Sequence, residues 1–332
     1  MRNRQDSVIK MYLSLTAPQQ TNLTTTHSTH TPLLMVKACG ICHSDRKAFH
    51  SPPKGMQLPR VLGHEIAGVL CRDLPEQNLS QGDRVILWPA VACGSCTFCA
   101  TKRPNLCPDI QLFGYHLDGG FSSKISIPKE IESRIFCYPI PDSVSFEQAI
   151  FAEPLACIIH ALAKVHRRPE SLLIFGGGVM GRMSSRLAPG IWPDIRISLF
   201  DTDTKRLFNT QDDGGTDQLA PADCILIATS NSDAVSTALK YLHPGGTLLL
   251  FSGLPKNEKI IALDHNLLHQ KEQTLVGSYG CCPENFSQAI NLLEKREVVI
   301  DDLMSKVILL SEATSELERQ LTVDDYKTVI QL

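Results

Sequence analysis

Short apolar runs broken by glycine and proline dominate residues 33–140. The runs at residues 61–70, 84–88 and 121–127 have the length and composition of β-strands. Turn residues separate these runs at short intervals, so the pattern predicts a compact, barrel-like β-domain. Residues 21–31 are rich in threonine, serine and histidine and lack periodicity. They predict either a turn between two initial strands or a poorly ordered segment.

The pattern changes after residue 145, where helical periodicity begins and runs to residue 166. Its single proline, Pro154, directly follows Glu153 and predicts a kinked or interrupted helix. Apolar strands then alternate with helical segments, which predicts a doubly wound parallel sheet. The predicted strands are 172–175, 195–200, 224–228 and 247–251, and the later helices are 232–242 and 283–295. Near residues 277–280 we expect the chain to cross back to the first domain.

A glycine-rich turn follows the strand at residues 172–175 and opens a helix that we expect to end near residue 187. The sequence Gly176-Gly177-Gly178-Val179-Met180-Gly181 is the Gly-x-Gly-x-x-Gly motif in the context that this motif requires. The glycines allow close approach to a pyrophosphate, and the helix N-terminus provides N–H groups for it. The candidate nucleotide-binding residues of this turn are Gly176, Gly178, Val179, Met180 and Gly181.

An acidic residue at the expected distance supports this interpretation. Asp201 lies 201 − 181 = 20 positions beyond the motif, at the end of the next strand, where a carboxylate binds the adenosine ribose. Asp203 adds negative charge that disfavours a 2′-phosphate, whereas Lys205 and Arg206 oppose that effect, and the balance favours NAD over NADP. From Asp201 to residue 223 there are only 223 − 201 = 22 positions. The family that the chain resembles, named below, carries a longer helix-strand-helix passage here, so the resemblance implies a trimmed lobe with a helix missing.

Four cysteines lie close together in the β-rich half, at spacings of three, three and eight residues. Four thiolates on one loop can form a closed tetrahedral zinc site, which is structural because no coordination position is free. A nucleic-acid zinc ribbon is disfavoured, since there is no distant second Cys-x-x-Cys pair and no basic stripe. The candidate ligands of this structural zinc are Cys93, Cys96, Cys99 and Cys107.

A second candidate metal set is dispersed along the chain. A thiol follows the apolar run at residues 33–36, a His64-Glu65 pair follows about twenty residues later, and Glu153 lies far beyond. A thiolate, an imidazole and carboxylates suit a catalytic zinc, which keeps one position open. Taken alone, His64 could be a core histidine and Glu153 a solvated helix residue.

These motifs, in this order, resemble the zinc-dependent medium-chain dehydrogenases, from about residue 33 to the C-terminus. The position of a second cysteine in the ethanol branch holds Glu153 here, so the chain is similar to the sorbitol and threonine dehydrogenase branch. The resemblance implies that Cys42, rather than Cys39, is the first ligand and His64 the second. Glu65 and Glu153 would supply or support the remaining coordination.

The resemblance also implies roles for nearby residues. The Ser44 hydroxyl would bond the substrate oxygen and pass its proton outward, although a turn-stabilising serine is the alternative. Arg206 would pack against adenine. Asp45 is a candidate partner that fixes the tautomer of His64. The remaining cysteines, including the adjacent pair Cys281-Cys282, are interpreted as buried apolar or incidental thiols.

The implied architecture is α/β: a GroES-like β-barrel catalytic domain and a Rossmann-type domain with a doubly wound parallel sheet. We expect the catalytic domain to comprise residues 1–154 and 280–332, and the NAD-binding domain to comprise residues 155–279. The implied cofactors are two zinc ions per chain and NAD, with NADP less favoured.

Composition agrees with an ordinary globular enzyme. The chain has 332 residues, 43% hydrophobic and 20% charged, and a net charge of −3, which favours neither nucleic acid nor an anionic membrane as partner. No apolar run reaches the roughly 18 residues of a membrane span. The first ten residues are charged and lack a secretory h-region, so we expect a cytoplasmic protein. Twelve cysteines in such a protein indicate metal ligands more than disulfides.

The function predicted from these observations is oxidation of a secondary alcohol to a ketone by hydride transfer to NAD. The substrate would be a small polyol, sugar alcohol or amino alcohol, and the enzyme a homodimer or homotetramer. Two alternatives remain open. One is an aldehyde or ketone reductase of the same family. The other is a non-catalytic scaffold stabilised by zinc, for which the trimmed lobe is an argument.

Overall fold

The computed structural model describes residues 8–28, 32–208, 213–255, 258–322 and 325–332. No helix in these ranges is long and apolar enough to cross a membrane. The first ten strands are β1 Val8–Ala17, β2 Gln20–Ser28, β3 Leu34–Ile41, β4 Arg60–Val61, β5 Glu65–Leu70, β6 Arg84–Leu87, β7 Ala90–Val91, β8 Gln111–Leu112, β9 Lys124–Ile125 and β10 Cys137–Pro139. The later strands are β11 Ser171–Phe175, β12 Arg196–Phe200, β13 Ala222–Ile227, β14 Leu242–Leu250, β15 Thr274–Gly277, β16 Met304–Leu309 and β17 Lys327–Gln331.

The helices are mostly short in the β-rich part and longer around the parallel sheet. They are α1 His43–His50, α2 Thr97–Ala100, α3 Lys129–Glu132, α4 Phe146–Ala149, α5 Ala152–Leu162, α6 Val179–Ile191, α7 Lys205–Phe208, α8 Ser232–Tyr241, α9 His265–Gln270, α10 Pro283–Glu294 and α11 Ala313–Glu318. Single 3₁₀ turns lie at Pro75–Gln77, Pro104–Leu106, Asp301–Leu303 and Leu310–Glu312.

The chain opens with an antiparallel hairpin in which β1 pairs with β2. The expectation of a turn or poor order over residues 21–31 is therefore wrong for residues 21–28, which are strand, while residues 29–31 lie outside the described ranges. The turn lies earlier, between Ala17 and Gln20, with Gln19 at φ 60°. The consecutive threonines at residues 24–26 favour a strand, but most of β2 is exposed, so no apolar alternation marks it in the sequence.

The C-terminal strand completes the main sheet of the β-rich part. Its strand order is β10-β6-β5-β3-β17-β16, and β9 pairs with the far end of β3. β17 runs antiparallel to β3, with Ile330 opposite Cys39. Residues near the C-terminus therefore lie beside those that follow β3, as the expected return of the chain requires.

The predicted parallel sheet is confirmed, with five strands in the order β12-β11-β13-β14-β15. Its first strand along the chain, β11, is buried throughout, as expected when helices cover both faces. The order along the sheet reverses at β11, and in such sheets ligands bind beyond the carboxyl ends of the strands at this point. The fold is thus a GroES-like domain combined with a Rossmann-type domain.

The helical stretch after residue 145 is interrupted, but not at the predicted residue. α4 ends at Ala149 and α5 starts at Ala152, so the break precedes Glu153-Pro154. Pro154 lies in the first turn of α5, where its missing N–H would have no helical partner. Glu153 is consequently held at the N-terminal end of a well-formed helix.

A buried ion cluster joins α11 to α1. Glu316 Oε1 lies 2.7 Å from Arg46 Nη2 and 2.8 Å from Arg319 Nη2, and Arg319 also pairs with Asp325 at 2.7 Å. Burial alone would raise the pKa of Glu316, but hydrogen bonds from Arg319 and Arg46 outweigh it and lower this pKa to about 2. The carboxylate of Glu316 therefore stabilises the fold wherever it is ionised.

We expect Glu316→Gln to lower the free energy of unfolding by about 3 kcal/mol, because Arg46 then remains buried without its counter-charge. The folded pKa is depressed, so this contribution is present above pH 4.5, the ordinary value, and is lost as pH falls toward 2. Urea unfolding of both proteins between pH 3 and pH 7 measures it. Glu318→Gln, an exposed change on the same helix, is the control and should have little effect. Equal stability of the Glu316 variant and the wild type at pH 7 would contradict the assignment.

Candidate active site

Three candidate ligands converge at one end of the β3–β5 pair. Cys42 follows β3 and is the N-cap of α1, and the antiparallel register places Gly40 opposite Glu65, the first residue of β5. The Cys42 sulfur, a His64 ring nitrogen and a Glu65 oxygen all lie within 4.8 Å of one another. Adjacent strands thus bring together residues that are more than twenty positions apart.

Asp45 is fully buried and organises this group from the first turn of α1. It accepts hydrogen bonds from the backbone N–H groups of Cys42 at 2.8 Å and Gly63 at 3.2 Å. Its Oδ1 also lies 3.3 Å from His64 Nδ1, within ion-pair distance, although Nδ1 makes no hydrogen bond to any described residue. This is the contact through which a carboxylate orients a metal-binding imidazole.

Glu65 provides the observation that fits a metal best. Its side chain is fully buried, and Lys327 donates a hydrogen bond of 2.6 Å to its Oε1. Its Oε2 is buried and has no hydrogen-bond partner in the part of the chain that the structure describes. A buried carboxylate oxygen without a partner is costly, and a bound cation would satisfy it.

Gly40 makes room for this carboxylate. A Cβ atom on residue 40 would lie 1.8 Å from Glu65 Oε2, so any side chain there would displace the acid. Lys327 was missed by the sequence analysis, although a lysine two residues before the apolar pair at 329–330 was a usable signal. Burial disfavours its ammonium ion, but the charges of Glu65 and Cys42 outweigh this effect and raise the pKa of Lys327.

Glu153 and Ser44 reach the same place from other elements. A cavity of about 470 Å³ is lined by Ser44, His64 and Glu153 together with apolar side chains, among them Trp88, Ile110 and Phe113. Ser44 and Tyr115 both line this cavity, and burial raises the pKa of Tyr115 to about 12. Glu153 is not a member of the Cys42 group. Its carboxylate instead lies within 4.8 Å of the Cys157 and Cys281 sulfurs. Whether Glu153 supports the catalytic zinc stays a prediction.

The four clustered cysteines form a separate group. Their sulfurs lie within 4.8 Å of one another, with Cys93 to Cys99 at 3.9 Å and Cys96 to Cys99 at 3.5 Å. Zn–S bonds of about 2.3 Å in a tetrahedron require S···S distances of about 3.8 Å, so the cluster fits one zinc ion. Backbone N–H groups of Ser95 and Cys96 lower the pKa of Cys93 to about 6, which favours the thiolate.

The glycine-rich turn lies between β11 and α6, with Gly178 as the N-cap. Gly176 has φ 112°, and a Cβ atom on Gly181 would lie 1.8 Å from the Gly176 carbonyl oxygen, so both positions require glycine. Val179 and Met180 begin the helix. The N–H groups of this first turn therefore point outward from the strand ends, as a pyrophosphate site requires.

Asp201 lies at the end of β12 and accepts hydrogen bonds from the backbone of Gly177 at 2.8 Å and Asp203 at 2.9 Å. It also lines a cavity of about 230 Å³ with Phe175 and Thr229. The Arg206 guanidinium lies close to Gly178: a Cβ atom added to Gly178 would be 3.6 Å from Arg206 Nη1. The candidate acid and arginine thus flank the glycine turn.

Arg182, which the sequence analysis did not identify, fixes this turn from within α6. It is fully buried, and its Nε donates to the Gly177 carbonyl at 3.0 Å. Its Nη1 pairs with Asp213 at 2.7 Å, in the short segment before β13. Residues 213–221, the described part of that segment beyond α7, contain no helix, as the predicted trimming requires. In the sequence, the signal for Arg182 was a charged residue that directly follows the last glycine of the motif, within the helix that this motif opens.

Known proteins similar to this chain are alcohol and polyol dehydrogenases. Residues 29–142 match the family described as the alcohol dehydrogenase GroES-like domain. L-galactonate-5-dehydrogenase of Escherichia coli K12 is 28% identical over 293 residues, covering 82% of this chain and 83% of that protein. D-arabinitol dehydrogenase 1 of Uromyces fabae is 27% identical over 308 residues, covering 86% of each chain. The chain is thus similar to alcohol and polyol dehydrogenases over most of its length.

One solved structure shows that this chain has the fold of a zinc-binding dehydrogenase along nearly its whole length. A protein from Sinorhizobium meliloti 1021, described as a zinc-binding dehydrogenase bound to NADP, superposes with a TM-score of 0.87 at 22% identity. The alignment covers 98% of this chain and 100% of that one.

Proposed function

We propose that the dehydrogenase oxidises a polyol, sugar alcohol or sugar acid at a secondary hydroxyl, with NAD as oxidant. The observation that carries this proposal is the buried, unpartnered Glu65 Oε2 beside Cys42 and His64, since His64 lines the same cavity as Ser44. The names of the two relatives, which refer to galactonate and arabinitol, support a polyhydroxylated substrate.

The residues present fit two zinc ions per chain. Cys42, His64 and Glu65 would hold the catalytic ion, with Glu153 in the lining of the adjacent cavity, and the four-cysteine group would hold the structural ion. When bound, the catalytic zinc acts as a Lewis acid that lowers the pKa of the substrate hydroxyl, and NAD accepts the hydride.

The chain's own residues position the substrate and manage the proton. Ser44 lies on the cavity wall, where it would receive the proton of the substrate hydroxyl and pass its own proton outward, and Tyr115 is a second hydroxyl on the same wall. Asp45 holds the His64 ring in one orientation, and Lys327 balances the charge of Glu65. The apolar wall excludes water from the reacting carbon, which favours transfer over side reactions.

We expect Ser44→Ala to lower kcat by about 100-fold or more, since positioned proton transfer contributes about 10²–10⁴ in rate. KM for the cofactor should not change. Steady-state kinetics with the best substrate measure the effect, and Ser44→Thr, which retains a hydroxyl, should recover part of the rate. Ser51→Ala, at the exposed end of the same helix, is the control. An unchanged kcat in Ser44→Ala would assign Ser44 to turn stabilisation.

NAD is favoured over NADP because Asp201 occupies the ribose position beside the glycine turn. We expect Asp201→Ala to lower kcat/KM for NAD by about 10- to 100-fold, since a hydrogen bond to a charged group contributes about 1.5–3 kcal/mol. The value for NADP should fall less or rise. Asp217→Ala, an exposed change in the same lobe, is the control. Wild-type preference for NADP would overturn the charge argument and assign selectivity to Lys205 or Arg206.

The direct test of the proposed function is a panel of pentitols, hexitols, sugar acids and simple secondary alcohols, each assayed with NAD and NADP on zinc-loaded protein. We expect the highest kcat/KM for a polyhydroxylated secondary alcohol with NAD. A much higher value for an aldehyde or ketone with reduced cofactor would favour the reductase alternative. Two bound zinc ions without turnover of any member would favour the scaffold alternative.

We also propose a cytoplasmic homodimer or homotetramer with the domain division 1–154 and 280–332 against 155–279. The pairing of β17 with β3 supports this division, since it returns the C-terminal residues to the first sheet. Light scattering of the purified protein gives the oligomeric state. Limited proteolysis tests the domain division. We expect the protease to cut the chain near a domain boundary earlier than it cuts within the strands of either sheet.

A further inference from the structure

A third group of potential metal-binding side chains lies beside the cavity, and two of its three members have no role in the proposed reaction. It consists of Glu153, Cys157 and Cys281, whose ligand atoms are all within 4.8 Å of one another. Cys157 follows Glu153 by four residues on α5, so both side chains lie on one face of the helix. The Cys157 thiol donates to Glu153 Oε1 at 3.4 Å.

The third member comes from a different element that is held in place independently. Cys281 immediately precedes Cys282, the N-cap of α10, and is buried. Trp88 Nε1 donates to the Cys281 carbonyl at 3.3 Å, which anchors this part of the chain against the β-rich domain. The group is therefore assembled in advance, with two elements fixing three donors. Such preorganisation is what a metal site of useful affinity needs.

The donor set selects a soft divalent ion. Two sulfurs and one carboxylate oxygen are ligands that zinc and cadmium accept, whereas magnesium and calcium prefer oxygen alone. The remaining coordination position would face the cavity, because Glu153 and Cys281 both line it. Cys157 does not line the cavity, so it is a ligand without a place in the proposed mechanism.

We propose that Glu153, Cys157 and Cys281 bind one further zinc or cadmium ion, distinct from the catalytic and structural ions, and that this ion inhibits the enzyme. Binding converts two thiols to thiolates, and their two protons pass to solvent. The ion would inhibit for two reasons. It would occupy space in the cavity that the substrate needs, and it would hold the Glu153 carboxylate away from His64, which lines the same cavity. Binding should strengthen as pH rises, because protons compete with the metal.

The test uses the zinc-loaded full-length enzyme, incubated with excess Zn²⁺ and freed of unbound metal by gel filtration. We expect three zinc ions per chain in the wild type and two in Cys157→Ala and in Cys281→Ala. Loss of one of three ligands should weaken binding by at least about 100-fold, since even outer partners of metal ligands contribute 10–100-fold. Cys137→Ala, which removes a buried thiol outside every described ligand group, is the matched control and should keep three.

Two further readouts keep the result independent of turnover and of folding. Titration of the wild type with Cd²⁺ should produce a sulfur-to-cadmium absorption band that is absent from Cys157→Ala, while zinc content stays at two. Excess Zn²⁺ should inhibit the wild type and Cys137→Ala, but not Cys157→Ala, whose activity without added metal should match the wild type. A third ion that persists in both thiol variants would overturn the proposal. So would a wild type that never exceeds two ions, or one whose thiols form a disulfide instead.

Discussion

Replacing Cys42 with alanine is expected to abolish turnover and to remove one of the two zinc ions, leaving the other in place. Cys42 provides the only sulfur in the group with His64 and Glu65. Lewis-acid stabilisation of charge contributes several kcal/mol to such reactions, so kcat should fall by about 1,000-fold or more. Elemental analysis and initial rates of the same preparation measure both effects.

Cys39 provides a matched control, because it is the other thiol near the end of β3. Its side chain is fully buried, and its thiol donates to the Gly40 carbonyl. Its sulfur packs against Gly63 and Gly120, so that a Cβ atom added to either glycine would lie within 3 Å of it. Cys39→Ala should keep both zinc ions and most of the activity, with some loss of stability from the cavity it leaves. If Cys42→Ala keeps both ions while Cys39→Ala loses one, Cys39 is the ligand.

Replacing Cys96 with serine is expected to remove the other zinc ion and to destabilise the whole protein. Structural zinc contributes about 10–16 kcal/mol of apparent binding energy in zinc-finger peptides, which is an upper limit for a loop in a larger fold. A loss of several kcal/mol in the free energy of unfolding is the expected result, measured by thermal and urea denaturation with zinc analysis. Cys71→Ser, a half-buried thiol outside the group, is the control.

The four-cysteine loop also supports the cavity wall, so this variant should lose activity as well as stability. Asn105 in this loop donates to the Tyr279 carbonyl at 2.9 Å, and Tyr279 lines the cavity. Loss of the zinc should therefore disturb substrate binding more than cofactor binding. A fully stable Cys96→Ser protein with unchanged zinc content would contradict the structural assignment.

The sequence predicted features that local spacing determines. The four cysteines lie within fifteen residues, and Asp201 lies at a fixed distance from the glycine turn, so the two-domain architecture and both motifs could be placed without coordinates. Strand β2 could not be placed in this way, because its threonines are at least partly exposed and give no apolar alternation. The break before Glu153 could not be located, since Pro154 is as compatible with the first turn of a helix as with a kink.

Contacts between distant segments were beyond the reach of sequence patterns. Lys327 pairs with Glu65 across 262 positions, and only the return of β17 to β3 brings them together. Arg182 joins the glycine turn to Asp213 in the trimmed segment, whose neighbours cannot be inferred from spacing. Cys157 and Cys281 looked like incidental thiols for the same reason. Each case depends on tertiary pairing rather than on local propensity.

The central claim is that the dehydrogenase removes hydride from the carbinol carbon of a secondary alcohol. The most direct measurement incubates the zinc-loaded enzyme with NAD and the best panel substrate, deuterated at that carbon, and determines the mass of the reduced cofactor. The account predicts NADH that carries one deuterium per molecule. Unlabelled reduced cofactor, or no reduced cofactor from protein with both zinc ions bound, would contradict it.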